Sequence, residues 1–258
     1  MFRFLRITFL LLVLLAVALM TWHDGFRNTR WNVPLYVAIY PIAADPSPIT
    51  QAYVNSLHSE VFQPIDRFFE REGARYGVHA QTPVKTRLRE ALHELPPQRA
   101  RDAGILSTIL WSLKLRWWAS RVSGHVHEPE DICMFVVYRD PALTPTVPHS
   151  AGLAKGMIGV VYAFATPIMG GANDVIIAHE MLHTLGATDK YDPANDAPLF
   201  PEGYGDPRQQ PLFPQQQAEL MAGRRVLAPN RWEQPENLGE VVIGAATASE
   251  IRWPAISH

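Results

Sequence analysis

The chain predicts an α/β (α+β) fold, and two observations point to it. Three short apolar runs, 33–42, 131–139 and 157–165, have the length and β-branched content of strands. They are interleaved with three longer stretches of helical periodicity, 49–76, 99–122 and 174–185. With 258 residues, 47% of them apolar, the chain can bury one sizeable core.

The amino terminus reads as a targeting element. Arg3 and Arg6 precede Ile7–Met20, a run without any charge. That run is short of the roughly 17–25 residues that span a bilayer. Ala16-Val17-Ala18 offers an A-x-A cleavage site but lies inside the apolar run. The reading favoured is an uncleaved signal anchor over 1–22, with a cleaved signal peptide as the alternative. A polar spacer (23–31) and one folded domain (32–258) follow. Cys133 is the single cysteine, so no intramolecular disulfide forms. Export without disulfides suits a bacterial inner membrane with the domain facing the periplasm, or a periplasmic or secreted protein if the segment is cleaved. The net charge of −2 gives no footprint for nucleic acid.

Val33–Ile42 is the first strand, with Pro near both ends. Ile49–Tyr76 follows as helix, broken or restarted at Pro64, with Ile65, Phe68 and Phe69 on a core face. Pro96-Pro97 marks a boundary. Arg99–Val122 is a long helix whose charges are mostly basic: Arg99, Arg101, Lys114, Arg116 and Arg121. It admits two readings, a core helix with snorkelling arginines or a face lying on a bilayer, and the first is favoured. His125, His127 and Glu128 read as a loop cluster rather than a second metal site. Asp131–Arg139 is the second strand, and Cys133 within it is expected to be a buried, inert thiol.

Met157–Ala165 is the third strand, and the active-site helix follows it. Tyr191–Gln217 holds six prolines and no periodicity, the pattern of a long functional loop. Its acids Asp192, Asp196, Glu202 and Asp206 are expected to be solvated rather than to bind calcium. Ala246–Arg252 closes the chain as a short helix.

Within this frame, 179–189 reads His-Glu-Met-Leu-His-Thr-Leu-Gly-Ala-Thr-Asp. On a helix, His179 and His183 lie one turn apart on one face and can meet one metal ion. Glu180 stands beside them, placed to take a proton from a metal-activated water. Asn173 or Asp174 is expected to cap the helix, and Gly186 to end it with a positive φ. The chain can then double back so that Asp189 offers an oxygen as third ligand. Three protein ligands leave the fourth position of a tetrahedral zinc open, as a catalytic site requires.

This stretch, H-E-x-x-H-x-x-G-x-x-D, resembles the long motif of the metzincin clan of zinc peptidases, in the Asp form of the snapalysin family. Glu219-Leu220-Met221-Ala222-Gly223 resembles the clan's Met-turn, and Tyr191 holds the family position two residues past the Asp. The resemblance spans 157–223. It implies a zincin/metzincin-like fold, a twisted mixed sheet with backing helices and the active-site helix beneath it. It implies one catalytic Zn2+ held by His179, His183 and Asp189, with Glu180 as general base and Met221 as an apolar floor. Tyr191 becomes a candidate hydrogen-bond donor. The strand before the helix is then an edge strand holding a peptide substrate through Gly159, Val160, Val161 and Tyr162. The propeptide Cys motif and the Tyr two residues after the Met, features of other metzincins, are absent. Rival readings are an amidase acting on cell-wall peptide and a membrane-anchored zinc sensor that does not turn over.

Overall fold

A computed structural model describes residues 31–98, 104–124, 130–144, 150–153 and 157–255. The signal segment 1–22, most of the spacer and the His125/His127/Glu128 cluster lie outside the described residues. Among the described residues, no helix is long and apolar enough to cross a membrane.

The centre is a five-stranded sheet: β1 (Leu35–Ala43), β2 (Val84–Leu88), β3 (Ile132–Arg139), β4 (Ala151–Leu153) and β5 (Ile158–Phe164). The strand order is β2-β1-β3-β5-β4. Four strands run parallel, and only β4 is antiparallel, pairing Ala151–Leu153 with Val160–Ile158. Parallel strands need both faces covered, which is why β1 and β3 read as nearly unbroken apolar runs.

Helices supply the two covers. On one face lie α1 (Pro48–Ser56), α2 (Gln63–Arg75) and, after a separate stretch of chain, the motif helix. The second face is covered by α3 (Ile105–Val122); the motif helix is α4 (Gly170–Thr184), and a short α5 (Ala245–Glu250) comes last. Alternation along β1 sorts its residues between the two cores. Leu35, Val37 and Ile39 join Ile65, Phe68 and Phe69 of α2 and Ala178, Met181 and Leu182 of α4. Ala38, Tyr40 and Ile42 join Leu115, Trp118 and Ala119 of α3.

Three sequence expectations change. The helical stretch 49–76 stops at Ser56, before Pro64, and resumes through a 3-10 turn, Ser59–Phe62. Pro64 stands in the first turn of α2, where a missing N–H costs nothing. Helix α4 begins at Gly170, so neither Asn173 nor Asp174 caps it. Instead the Asn173 side chain accepts from the Phe164 amide (3.2 Å) and donates to the Phe164 carbonyl (3.0 Å). Lastly, β5 is not the edge strand, because β4 lies outside it. The sequence signal of β4 is only three residues long, too short for periodicity to show.

Cys133 is partly rather than fully buried; burial first, then the neighbouring Glu130 carboxylate, pushes its thiol up to about 12. It stays protonated and unreactive.

Candidate metal centre

Helix α4 puts His179 and His183 on one face, and the chain then reverses. Gly186 has φ +101°, a conformation that disfavours any side chain, and Ala187 N–H donates to Leu182 O at 3.0 Å. The reversal brings Asp189 back to the histidines. Its Oδ1 lies 3.2 Å from His179 Nε2 and 3.2 Å from His183 Nε2, and the two Nε2 atoms are 3.1 Å apart.

These three distances fit a metal. Ligands about 2.0–2.1 Å from a tetrahedral zinc stand about 3.3–3.4 Å from one another. The tautomers agree. His179 Nδ1 is 2.9 Å from Leu220 O, and His183 Nδ1 is 2.9 Å from Ala187 O. A carbonyl only accepts, so each Nδ1 carries the proton and each Nε2 presents a lone pair. Two such lone pairs and a carboxylate oxygen facing one point repel unless a cation sits between them.

Glu180 is buried beside this triangle, and one of its ligand atoms lies with those of the two histidines inside a 4.8 Å group. Among the described residues, it is also a carboxylate whose Oε2 is buried with no hydrogen-bond partner. Burial raises its pKa, against the pull of His179, His183 and the Gly152 amide. Strand β4 crosses directly above: a Cβ on Gly152 would fall 2.4 Å from Glu180 O and 2.6 Å from His183 Cβ. Only glycine fits there.

The segment around Met221 holds the centre from below. Besides Leu220 O on His179, Met221 O accepts from Lys190 N at 3.0 Å, next to Asp189. Met221 itself is fully buried. The turn ends at Gly223, with φ +62°. Tyr191 lines the cleft, and its phenol is pushed up to about 12 by burial and by the nearby Asp189 carboxylate, to which it donates.

Two acids organise this region: Glu219, read from sequence only as part of the Met-turn stretch, and Glu250, not singled out from sequence. Glu219 is fully buried; its carboxylate accepts from Ala222 N (3.0 Å), Gly244 N (3.1 Å) and Thr247 Oγ1 (2.7 Å). Glu250 accepts from Thr188 N (2.9 Å), Thr188 Oγ1 (2.7 Å) and the buried Lys190 Nζ (2.8 Å). It thereby clamps both neighbours of Asp189. The partners of Glu250, and the Gly244 and Thr247 partners of Glu219, are distant in sequence, so no local pattern signals these bonds.

The cleft beside the histidines, about 300 Å³, is lined by Tyr162, Val175, Ile176, Tyr191, Asp196 and Arg224 among others. Of the four β5 residues expected to hold substrate, only Tyr162 lines it. Val160 and Val161 are buried, and Gly159 makes room for Met134, whose Sδ and Cε would lie 2.5 Å from any Cβ at that position. The edge groups of β5 are already taken by β4, by Ser150 Oγ on Tyr162 N (3.1 Å) and by Asn173 on Phe164. The loop acids serve local turns and pairs: Asp192 accepts from Ala194 N, Asp206 from Arg208 N, and Asp196 pairs with Arg224 at 3.5 Å.

No family model and no curated protein matches the chain. Among solved structures, it is similar to catalytically inactive OgpA from Akkermansia muciniphila in complex with an O-glycopeptide (glycodrosocin) substrate. The two share 12% identity at a TM-score of 0.37, over 85% of this chain and 60% of that one. The chain thus spans less than two thirds of that structure's length, and a likeness this distant carries no functional argument.

Proposed function

We propose that the protein is a zinc-dependent metallopeptidase of the metzincin type, snapalysin-like in its motif. His179, His183 and Asp189 hold one zinc ion, and Glu180 is the general base. The observation that carries this reading is the triangle of 3.1, 3.2 and 3.2 Å between three donor atoms, with both imidazole protons committed elsewhere.

Bound there, zinc supplies Lewis acidity, lowering the pKa of water to about 7 and polarising the scissile carbonyl. The chain's own residues do the rest. Glu180, buried and raised, takes the proton of the attacking water and returns it to the leaving amine. Tyr191 stands at the cleft wall as a neutral donor. An extended peptide would run along β4, the edge strand above Glu180, rather than along β5. The unpartnered Glu180 Oε2 favours turnover over a zinc sensor, since a structural zinc has no use for an idle buried carboxylate. The domain would act on the exported side, held by segment 1–22, on peptide or protein substrates; an amidase for cell-wall peptide uses the same chemistry.

The test is metal content and cleavage of a mixed peptide library by wild type, Glu180→Gln and Asp189→Ala. One zinc per chain is expected, with cleavage by wild type and none by Glu180→Gln, which keeps its zinc. Asp189→Ala is expected to lose the metal. Absence of bound metal in wild type overturns the reading.

A further inference from the structure

Helix α3 has two apolar faces, and the sheet uses only one. Leu115, Trp118 and Ala119 are buried against Tyr40, Phe135, Val137 and Ile158. On the other side Ile109, Leu110, Leu113 and Trp117 are 51%, 52%, 55% and 66% exposed. At 3.6 residues per turn these four share an arc of about 100°. Single exposed apolar residues are ordinary, but a contiguous stripe of four large ones marks an interaction surface.

We propose that this stripe lies on a lipid bilayer carrying anionic headgroups. The charges on the helix fit that occupant. Lys114 and Arg121 flank the stripe on one side and Arg116, partly buried with its Nε out of solvent, stands on the other; Ile105–Val122 contains no acid. Cations bordering an apolar arc, with Trp among the apolar residues, are the pattern of a helix lying in the headgroup region. The long side chains reach the phosphates while their stems stay with the apolar face. Each cation near an anionic surface adds to the attraction. Arg121 also pairs with Glu94 and stacks over Trp117 at 5.1 Å, so its share is reduced.

The same charges argue against a second copy. A two-fold contact through this stripe would bring Lys114, Arg116 and Arg121 against their own equivalents. The sequence adds a geometric argument. The uncharged run Ile7–Met20 is separated from Trp31 by ten residues, Thr21–Arg30. Fully extended, ten residues reach at most about 35 Å. A run held in lipid therefore keeps the folded domain within about that distance of the headgroups, where α3 offers its apolar stripe.

This surface is independent of the metal centre and is tested without it. The full chain, with Cys133→Ala, carries a nitroxide at Leu113→Cys and, separately, at Leu110→Cys, with Lys85→Cys as an exposed reference. It is reconstituted in phosphatidylcholine vesicles with and without phosphatidylglycerol. Power saturation compares access by oxygen, which concentrates in lipid, with access by a water-soluble nickel chelate. At 110 and 113 we expect oxygen to dominate, at a depth below the phosphates, more strongly with phosphatidylglycerol. The site at 85 is expected to favour the nickel chelate, and Trp117→Glu to move 113 towards that value. A label at 113 as accessible to nickel as that at 85 overturns the proposal. So does one shielded from both reagents, which signals cover by protein: a second copy, seen as a label-to-label distance, or the chain's own residues 7–20.

Discussion

Asp189 sits on an irregular stretch of chain, yet its oxygen must be placed to a few tenths of an ångström. Its neighbours explain how. Thr188 and Lys190 both bond Glu250, and the Lys190 amide bonds Met221 O at 3.0 Å. Removing the Glu250 side chain leaves the Lys190 ammonium buried without its carboxylate, a costly state. Glu250→Ala is therefore expected to weaken zinc binding about 10–100-fold, the usual scale for groups that orient a ligand from behind. Glu250→Gln keeps an acceptor for Thr188 and should fall between. Competition with a chromogenic chelator reads this directly; equal affinity in all three proteins would show that Asp189 needs no such clamp.

Helix α4 carries the histidines, yet its first turns hold a poorly solvated acid. Burial pushes Asp174 up to about 7, in a cavity also lined by Arg67 and Arg71. The folded carboxyl thus holds its proton more tightly than the unfolded one. Below about pH 4 both states are protonated and no cost arises. Between about pH 4 and 7 stability falls as pH rises, and above that the cost is fully present. Asp174→Asn removes it, so melting temperature should rise at pH 8 and hardly change at pH 4. Three pKa units set an upper bound of about 4 kcal/mol. An equal gain at both pH values would point away from ionisation. At this scale the sequence is a partial guide. Long elements with a sustained signal, the unbroken apolar runs of β1 and β3 and the motif-bearing helix α4, are legible from it. Strand β4 is not, since three residues carry no period, and so the edge position that the resemblance implied for β5 met no objection in the sequence. Asn173 resembles a cap because Asn caps helices by local bonding; here a distant strand end claims its side chain.

Across the molecule, the donor triangle joins three stretches: α4, the reversal through Asp189, and the turn at 219–223. Zinc would couple to the stability of all three, because it binds only the folded arrangement. At a free concentration 100 times its dissociation constant it should add about 2.7 kcal/mol. For a domain this size that is about 5–10 °C in melting temperature, measured by calorimetry with zinc and with a chelator. Asp189→Ala should show no such shift. The motif of the site was legible because its ligands lie within eleven consecutive residues. The bonds that support it were not, because Glu219, Leu220 and Glu250 reach partners 25 to 62 positions away, even though Glu219 and Leu220 stand in a recognisable stretch. That separation has a consequence during synthesis. A chain that has left the ribosome only as far as Gln217 already contains all five strands of the sheet and both histidines. It lacks the carbonyl that orients His179, the amide partner beside Asp189, and the carboxylate that clamps it. The donor cluster is completed last, after the sheet that carries it has had time to fold.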